Sequence, residues 1–136
     1  MEKIFTHKKY TIDEMQSIPS STLAWIGDSV FSVCVREYEL SKCKSKPYKL
    51  NRKAVSIENA QAQAESLEML LGTLNEIELG VVRRAKNSPI TTKSKHFGLA
   101  EYKKATALEA LLGYLYLTDN ITRLNEIVKA ILEEER

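Results

Sequence analysis

Apolar residues recur every three or four positions along most of this chain, and no stretch alternates apolar and polar residues convincingly as a half-buried strand does. A first short helix is predicted after Thr11, with Glu14 three residues on completing a capping-box pattern. Pro19-Ser20-Ser21-Thr22 offers caps for a long helix over about residues 22–40. Its apolar positions fall on two faces: Leu23, Ile26, Val30 and Val33 on one, Phe31, Val35 and Tyr38 on another. A helix apolar nearly all round is buried in a core or in a subunit interface. So short a chain can cover few helices completely, so Leu23, Ile26, Val30 and Phe31 are expected to contribute to a subunit interface.

Lys46-Pro47 puts a proline where a helix can start, for a short helix near residues 47–54. Ser56 and Asn59 flank the next start, and Ala60, Ala62, Ala64, Leu67, Leu70 and Leu71 then make a helix ending near Gly72. Asn75 can cap another through about Lys86. Residues 87–98, with Pro89 and Gly98, read as a loop long enough to be functional or mobile. Glu101 to Thr118 carries Leu108, Leu111, Leu112 and Leu115 at helical spacing, and Asn120 precedes a last helix with Ile121, Leu124, Ile127, Val128 and Ile131. The expected fold class is all-α. At 136 residues, one domain spanning 1–136 with a single core is expected.

Composition is that of a soluble globular protein, and no apolar run approaches the ~20 residues of a membrane helix. The N-terminus lacks the apolar core of a signal peptide. Cys34 and Cys43 share no metal-ligand spacing and are expected as reduced thiols in a cytoplasmic protein. Charge changes the picture more. The net charge is only +2, yet residues 42–53 hold Lys42, Lys44, Lys46, Lys49, Arg52 and Lys53 with no acid. Residues 83–104 hold Arg83, Arg84, Lys86, Lys93, Lys95, Lys103 and Lys104 against Glu101 alone. Positive charge concentrated in two segments is what a face for a polyanion needs, although such runs also occur as solvated loops.

Candidate chemistry sits elsewhere, in the two most apolar stretches. Asp28 lies within Leu23-Ala24-Trp25-Ile26-Gly27-Asp28-Ser29-Val30-Phe31, and Glu109 within Ala105-Thr106-Ala107-Leu108-Glu109-Ala110-Leu111-Leu112-Gly113. Neither has a basic residue nearby at helical spacing. A buried carboxylate needs a partner or a metal, and Mg²⁺ takes one or two carboxylates while keeping several waters. A surface-facing acid or a polar network is the alternative. A helical di-iron oxidoreductase is excluded, because it needs Glu-x-x-His pairs and the histidines are only His7 and His96.

The first stretch resembles the signature helix of ribonuclease III endonuclease domains, and Ala107 to Leu117 resembles their second catalytic helix. Asn51-Arg52-Lys53-Ala54-Val55-Ser56 with Ala60-Gln61-Ala62-Gln63-Ala64, Val81 to Asn87, and Tyr102-Lys103-Lys104-Ala105-Thr106 are similar to the Mini-ribonuclease III branch, which lacks a double-stranded-RNA-binding domain. The five motifs stand in order, and the resemblance runs from about residue 12 to residue 132. The resemblance implies an all-α homodimer that hydrolyses double-stranded RNA with Mg²⁺, leaving 5′-phosphate and 3′-hydroxyl ends, in a family associated with 23S ribosomal RNA maturation. Asp28 and Glu109 match family metal ligands and are the expected catalytic pair. The catalytic domain itself would then grip the RNA, through Arg52, Lys53, Arg83, Arg84, Lys86, Lys93, Lys95, Lys103 and Lys104. Two family acids are replaced, by Ala24 and Thr106. Mini-ribonuclease III members share these replacements. A non-catalytic RNA- or ribosome-binding module is the alternative, and a helical dimer with incidental basic loops is the third reading.

Overall fold

The computed structural model describes residues 8–89 and 98–134, and every regular element among them is a helix. In chain order these are α1 (Ile12–Met15), α2 (Ser20–Lys42), α3 (Pro47–Glu58), α4 (Ala60–Leu70), a 3₁₀ turn (Leu71–Thr73), α5 (Glu76–Lys86), α6 (Leu99–Leu117) and α7 (Ile121–Leu132). The local signals explain most boundaries. Thr11 and Glu14 form a reciprocal capping box on α1, at 3.2 and 3.1 Å. Asn59 caps α4 through the Ala62 amide, and Pro47 stands in the first turn of α3. Asn87 is the C-cap of α5. α3 runs four residues beyond the expected end, because nothing after Ala54 breaks it until Asn59 takes an extended backbone. Of the expected 87–98 loop, residues 90–97 lie outside the described residues.

α6 is the centre of the molecule and packs against α2, α4, α5 and α7. Ala105, Ala107, Leu108 and the run Ala110 to Leu115 are all buried, so it is apolar nearly all round and covered on most sides. Fully buried leucines such as Leu23, Leu67, Leu108, Leu111 and Leu112 each contribute about 1.5–3 kcal/mol. At the α2–α6 crossing the backbones touch through glycine. A Cβ on Gly27 would stand 1.7 Å from the Glu109 carbonyl oxygen, and one on Gly113 2.0 Å from that of Leu23.

A polar staple joins α5, α7 and the 3₁₀ turn. Glu78 closes a capping box with Asn75 and also accepts from Arg123 Nε and Nη2 at 2.8 and 2.9 Å. The same guanidinium donates to the Thr73 carbonyl at 2.9 Å, so one arginine ties α7 to α5 and to the turn before it. Arg123 holds the Glu78 carboxyl below the usual carboxylate range.

Two of the expected interface residues are corrected by their burial. Leu23 and Phe31 are 0 % and 1 % exposed within the protomer, so they have no surface left for a second copy. Their stripe, continuing through Gly27 and Val35, is the core face of α2. Ile26 and Val30 are half-buried. The apolar side chains that α2 leaves exposed are Trp25, Val33 and Leu40, at 71 %, 60 % and 51 %. Trp25 therefore lies outside the core.

Candidate active site

The glycine crossing decides where the two acids meet. Asp28 follows Gly27, and Glu109 supplies the carbonyl that Gly27 touches, so a backbone contact between α2 and α6 brings both side chains to one place. They lie within hydrogen-bonding reach of each other. Their environments differ. Asp28 is exposed, against the expectation that its apolar surroundings bury it; Ala24, Gly27 and Phe31 take the core positions of that stretch. Glu109 is half-buried. Burial pushes its carboxyl up to about 8, with Asp28 and then Glu58 adding to the rise, while the Gln63 amide works the other way.

Two carboxylates in contact cannot both ionise cheaply, so Glu109 retains a proton at neutral pH. A divalent cation would do what that proton does, with more charge. The donors are hard oxygens, which suit Mg²⁺. Among the described residues no group of three or more His, Cys, Asp or Glu side chains gathers as a metal cage. Two carboxylates match the sparse protein contribution that Mg²⁺ accepts. Ala24 is buried at 7 % and Thr106 is half-buried, and neither brings a carboxylate to the pair.

The basic residues separate into groups. Arg52, Lys53 and Arg83 are exposed and appear in no ion pair among the described residues. Arg84 is engaged internally: its guanidinium donates to the Met15 carbonyl at 3.3 Å and to that of Ile18, fastening the segment before α2 to α5. Lys104 pairs with Glu68 at 2.7 Å, and Lys86 stands close enough to Glu68 to favour its charge. Lys103 is half-buried. Lys93 and Lys95, with His96, lie outside the described residues.

Glu58, Gln63, Gly27 and Gly113 carry no expected role in the site. Gln63 had a legible signal: it shares a helix face with Leu67 and Leu70, where a polar side chain is buried and requires partners. Glu58 lay beyond the expected end of its helix. The glycines were part of both quoted motifs, but only the crossing explains them.

Comparison with known proteins gives the family. A family model for the Ribonuclease III domain matches residues 21–120, which include both carboxylates and both glycines. The Mini-ribonuclease 3 of Brevibacillus brevis is 42 % identical over 116 residues, covering 83 % of this chain and 87 % of that protein. That of Clostridium tetani is 33 % identical over 133 residues, covering 97 % and 88 %. A crystal structure of a Fusobacterium nucleatum protein superposes with a TM-score of 0.80 at 28 % identity, covering 88 % of this chain and 96 % of that one. The likeness spans the core, the crossing and the acids together, and the chain belongs to the ribonuclease III family, in its Mini-ribonuclease 3 branch.

Proposed function

We propose that this protein is a double-stranded-RNA endoribonuclease that works with Mg²⁺ at the Asp28–Glu109 pair. One observation carries the reading: two acids from separate helices converge through a glycine crossing, at a cost in charge repulsion that only a cation or a proton relieves. Asp28, on the exposed side, meets the cation from solvent. Glu109, half-buried and fixed by α6, sets its position. Bound there, the cation supplies Lewis-acid activation of water and neutralises charge at the scissile phosphate. Arg52, Lys53 and Arg83 are free to take phosphates, which suits a duplex recognised by backbone shape across its minor groove.

Assembly follows from the surface of α2. Trp25, Val33 and Leu40 lie seven to eight residues apart, on one helix face. A groove of about 780 Å³ adjoins Val33 and Leu40, lined also by Pro47, Tyr48 and Leu50. So large an apolar face is rarely left to water. A second copy of the chain is its proposed occupant, which gives two sites for two strands through an isologous contact. Precursor ribosomal RNA, the 23S species, is the proposed substrate and the cytoplasm the proposed compartment. No helix among the described residues is long and apolar enough to cross a membrane.

Incubation with a labelled RNA duplex and with its separate strands tests the reading. Cutting of the duplex alone, leaving 5′-phosphate ends, is expected; tight binding without cutting under any divalent metal moves the assignment to a non-catalytic RNA-binding module. The RNA face has its own test. Arg52→Ala with Arg83→Ala should weaken duplex binding and flatten its salt dependence, by roughly one unit of log–log slope for each phosphate the variant no longer neutralises. Arg84→Ala should instead lower the melting temperature. If Arg84→Ala changes only the salt slope, the arginine faces RNA after all.

A further inference from the structure

Gln63 stands in the first turn of α4 and is 3 % exposed. Its Nε2 donates to the Glu58 carbonyl at 2.8 Å, one of the end carbonyls that α3 leaves without a helical donor. The same nitrogen serves the Glu109 carboxylate as a donor and favours its charged form. Its Oε1, by contrast, has no hydrogen-bond partner. The nitrogen therefore decides how the amide lies: turned over, it would set an oxygen against a carbonyl and a carboxylate. A buried acceptor without a donor is a standing cost. Leu67 and Leu70, on the same face of α4, are buried, and an apolar side chain at 63 would avoid that cost. Packing fixes the amide's place as well. α4 lies against α6, and Glu68, five residues beyond Gln63, pairs at 2.7 Å with Lys104, five residues before Glu109. The two helices thus run antiparallel, with Gln63 opposite Glu109.

From this arrangement we infer that Gln63 is a positioning residue for Glu109: its amide nitrogen, anchored on the Glu58 carbonyl, holds the Glu109 carboxylate from the α4 side and keeps it beside Asp28, ready for a cation. The inference rests on the Asp28–Glu109 reading above. Asp28 repels the charged form of Glu109 from the α2 side, and an unrestrained carboxylate would turn away from it. A hydrogen-bond donor on the opposite helix opposes that turn, as donors to metal-binding carboxylates commonly do. The neutrality of the amide matters too. A lysine at 63 would compete with the cation for the pair's charge, and a glutamate would add a third negative charge. Capping of α3 alone is the competing role, and it predicts an effect on stability without one on metal affinity.

Calorimetric titration of the RNA-free protein with Mn²⁺, with metal-free melting recorded beside it, separates the two roles. Gln63→Met is the main variant, because methionine keeps the length and helix preference of glutamine without its donor. Wild type should bind, Asp28→Asn should not, and Gln63→Met should bind about ten- to a hundredfold more weakly than wild type. Wild-type affinity in Gln63→Met, whatever its melting temperature, reduces the glutamine to a cap; it overturns this inference and leaves the carboxylate reading standing. Normal binding by Asp28→Asn, or none by wild type, removes the carboxylate reading and this inference with it. Should Gln63→Met not fold, Gln63→Asn takes its place: one methylene shorter, its amide falls short of Glu109. The same loss of affinity is then expected, and wild-type affinity refutes the positioning role.

Discussion

Gly27→Ala is expected to destabilise the protein by more than about 3 kcal/mol and to abolish RNA cleavage with it. Ordinary overpacking costs about 1–3 kcal/mol, because neighbouring side chains yield. Here the new methyl meets backbone: 1.7 Å from the Glu109 carbonyl oxygen and 2.8 Å from the Gly113 nitrogen. Neither atom can move without moving α6, and α6 carries the core. The sign is diagnostic, because alanine in a helix interior is intrinsically better than glycine by about 1 kcal/mol. Gly80→Ala is the control. A Cβ there meets nothing within 4 Å inside α5, so this substitution should stabilise by about 0.5–1 kcal/mol. Chemical denaturation of both variants compares them directly. If Gly27→Ala proves as stable as Gly80→Ala, the helices do not touch through glycine.

Glu109→Gln is expected to lower cleavage about a thousandfold or more and, in metal-free solution at high pH, to make the protein more stable. On the proposed reading, loss of cleavage follows from removing one of the two carboxylates that would hold a cation worth several kcal/mol of transition-state charge stabilisation. The stability gain follows from linkage. Glu109 is raised from 4.5 in the unfolded chain to about 8 in the fold, chiefly by burial and then by Asp28. The folded state therefore holds the proton more tightly than the unfolded state. Stability is full below about pH 4.5 and is lost as the pH climbs through about 8. Glutamine cannot ionise and escapes this loss, by about 2–4 kcal/mol at pH 9. Thermal melts with a chelator at pH 5 and pH 9 should show wild type falling and Glu109→Gln holding. Added Mg²⁺ should restore wild type at pH 9 and leave the variant unmoved. Parallel falls in the two proteins would mean that Glu109 does not carry the strain.

Much of this was readable in the residues, for reasons that differ from part to part. Helix positions came from caps and breakers that act locally: Thr11, Pro47, Asn59 and Asn75 all stand where the helices begin. Asp28 and Glu109 were conspicuous because charge within an apolar run needs a reason. What failed was the sorting of apolar residues between core and interface. Leu23 and Val33 share a helical stripe in sequence, yet one is 0 % and the other 60 % exposed. A helix apolar on two faces does not say which face its own chain will cover. Arg84 failed for a related reason: a cation within a basic cluster looks like phosphate-binding charge, and only the fold brings the carbonyls of Met15 and Ile18 to it. Gln63 was passed over because a neutral side chain draws no notice until its burial is known.

Asp28 and Glu109 are proposed to form one cation-dependent site. Its most direct test is the cleavage rate of an end-labelled RNA duplex as Mg²⁺ is raised from none to saturation, for wild type, Asp28→Asn and Glu109→Gln in parallel. The expected result is no cutting without metal, a saturating rise for wild type, and at most residual cutting by either folded variant. Wild-type rates from either variant at saturating Mg²⁺, or cutting that ignores the metal, would contradict it.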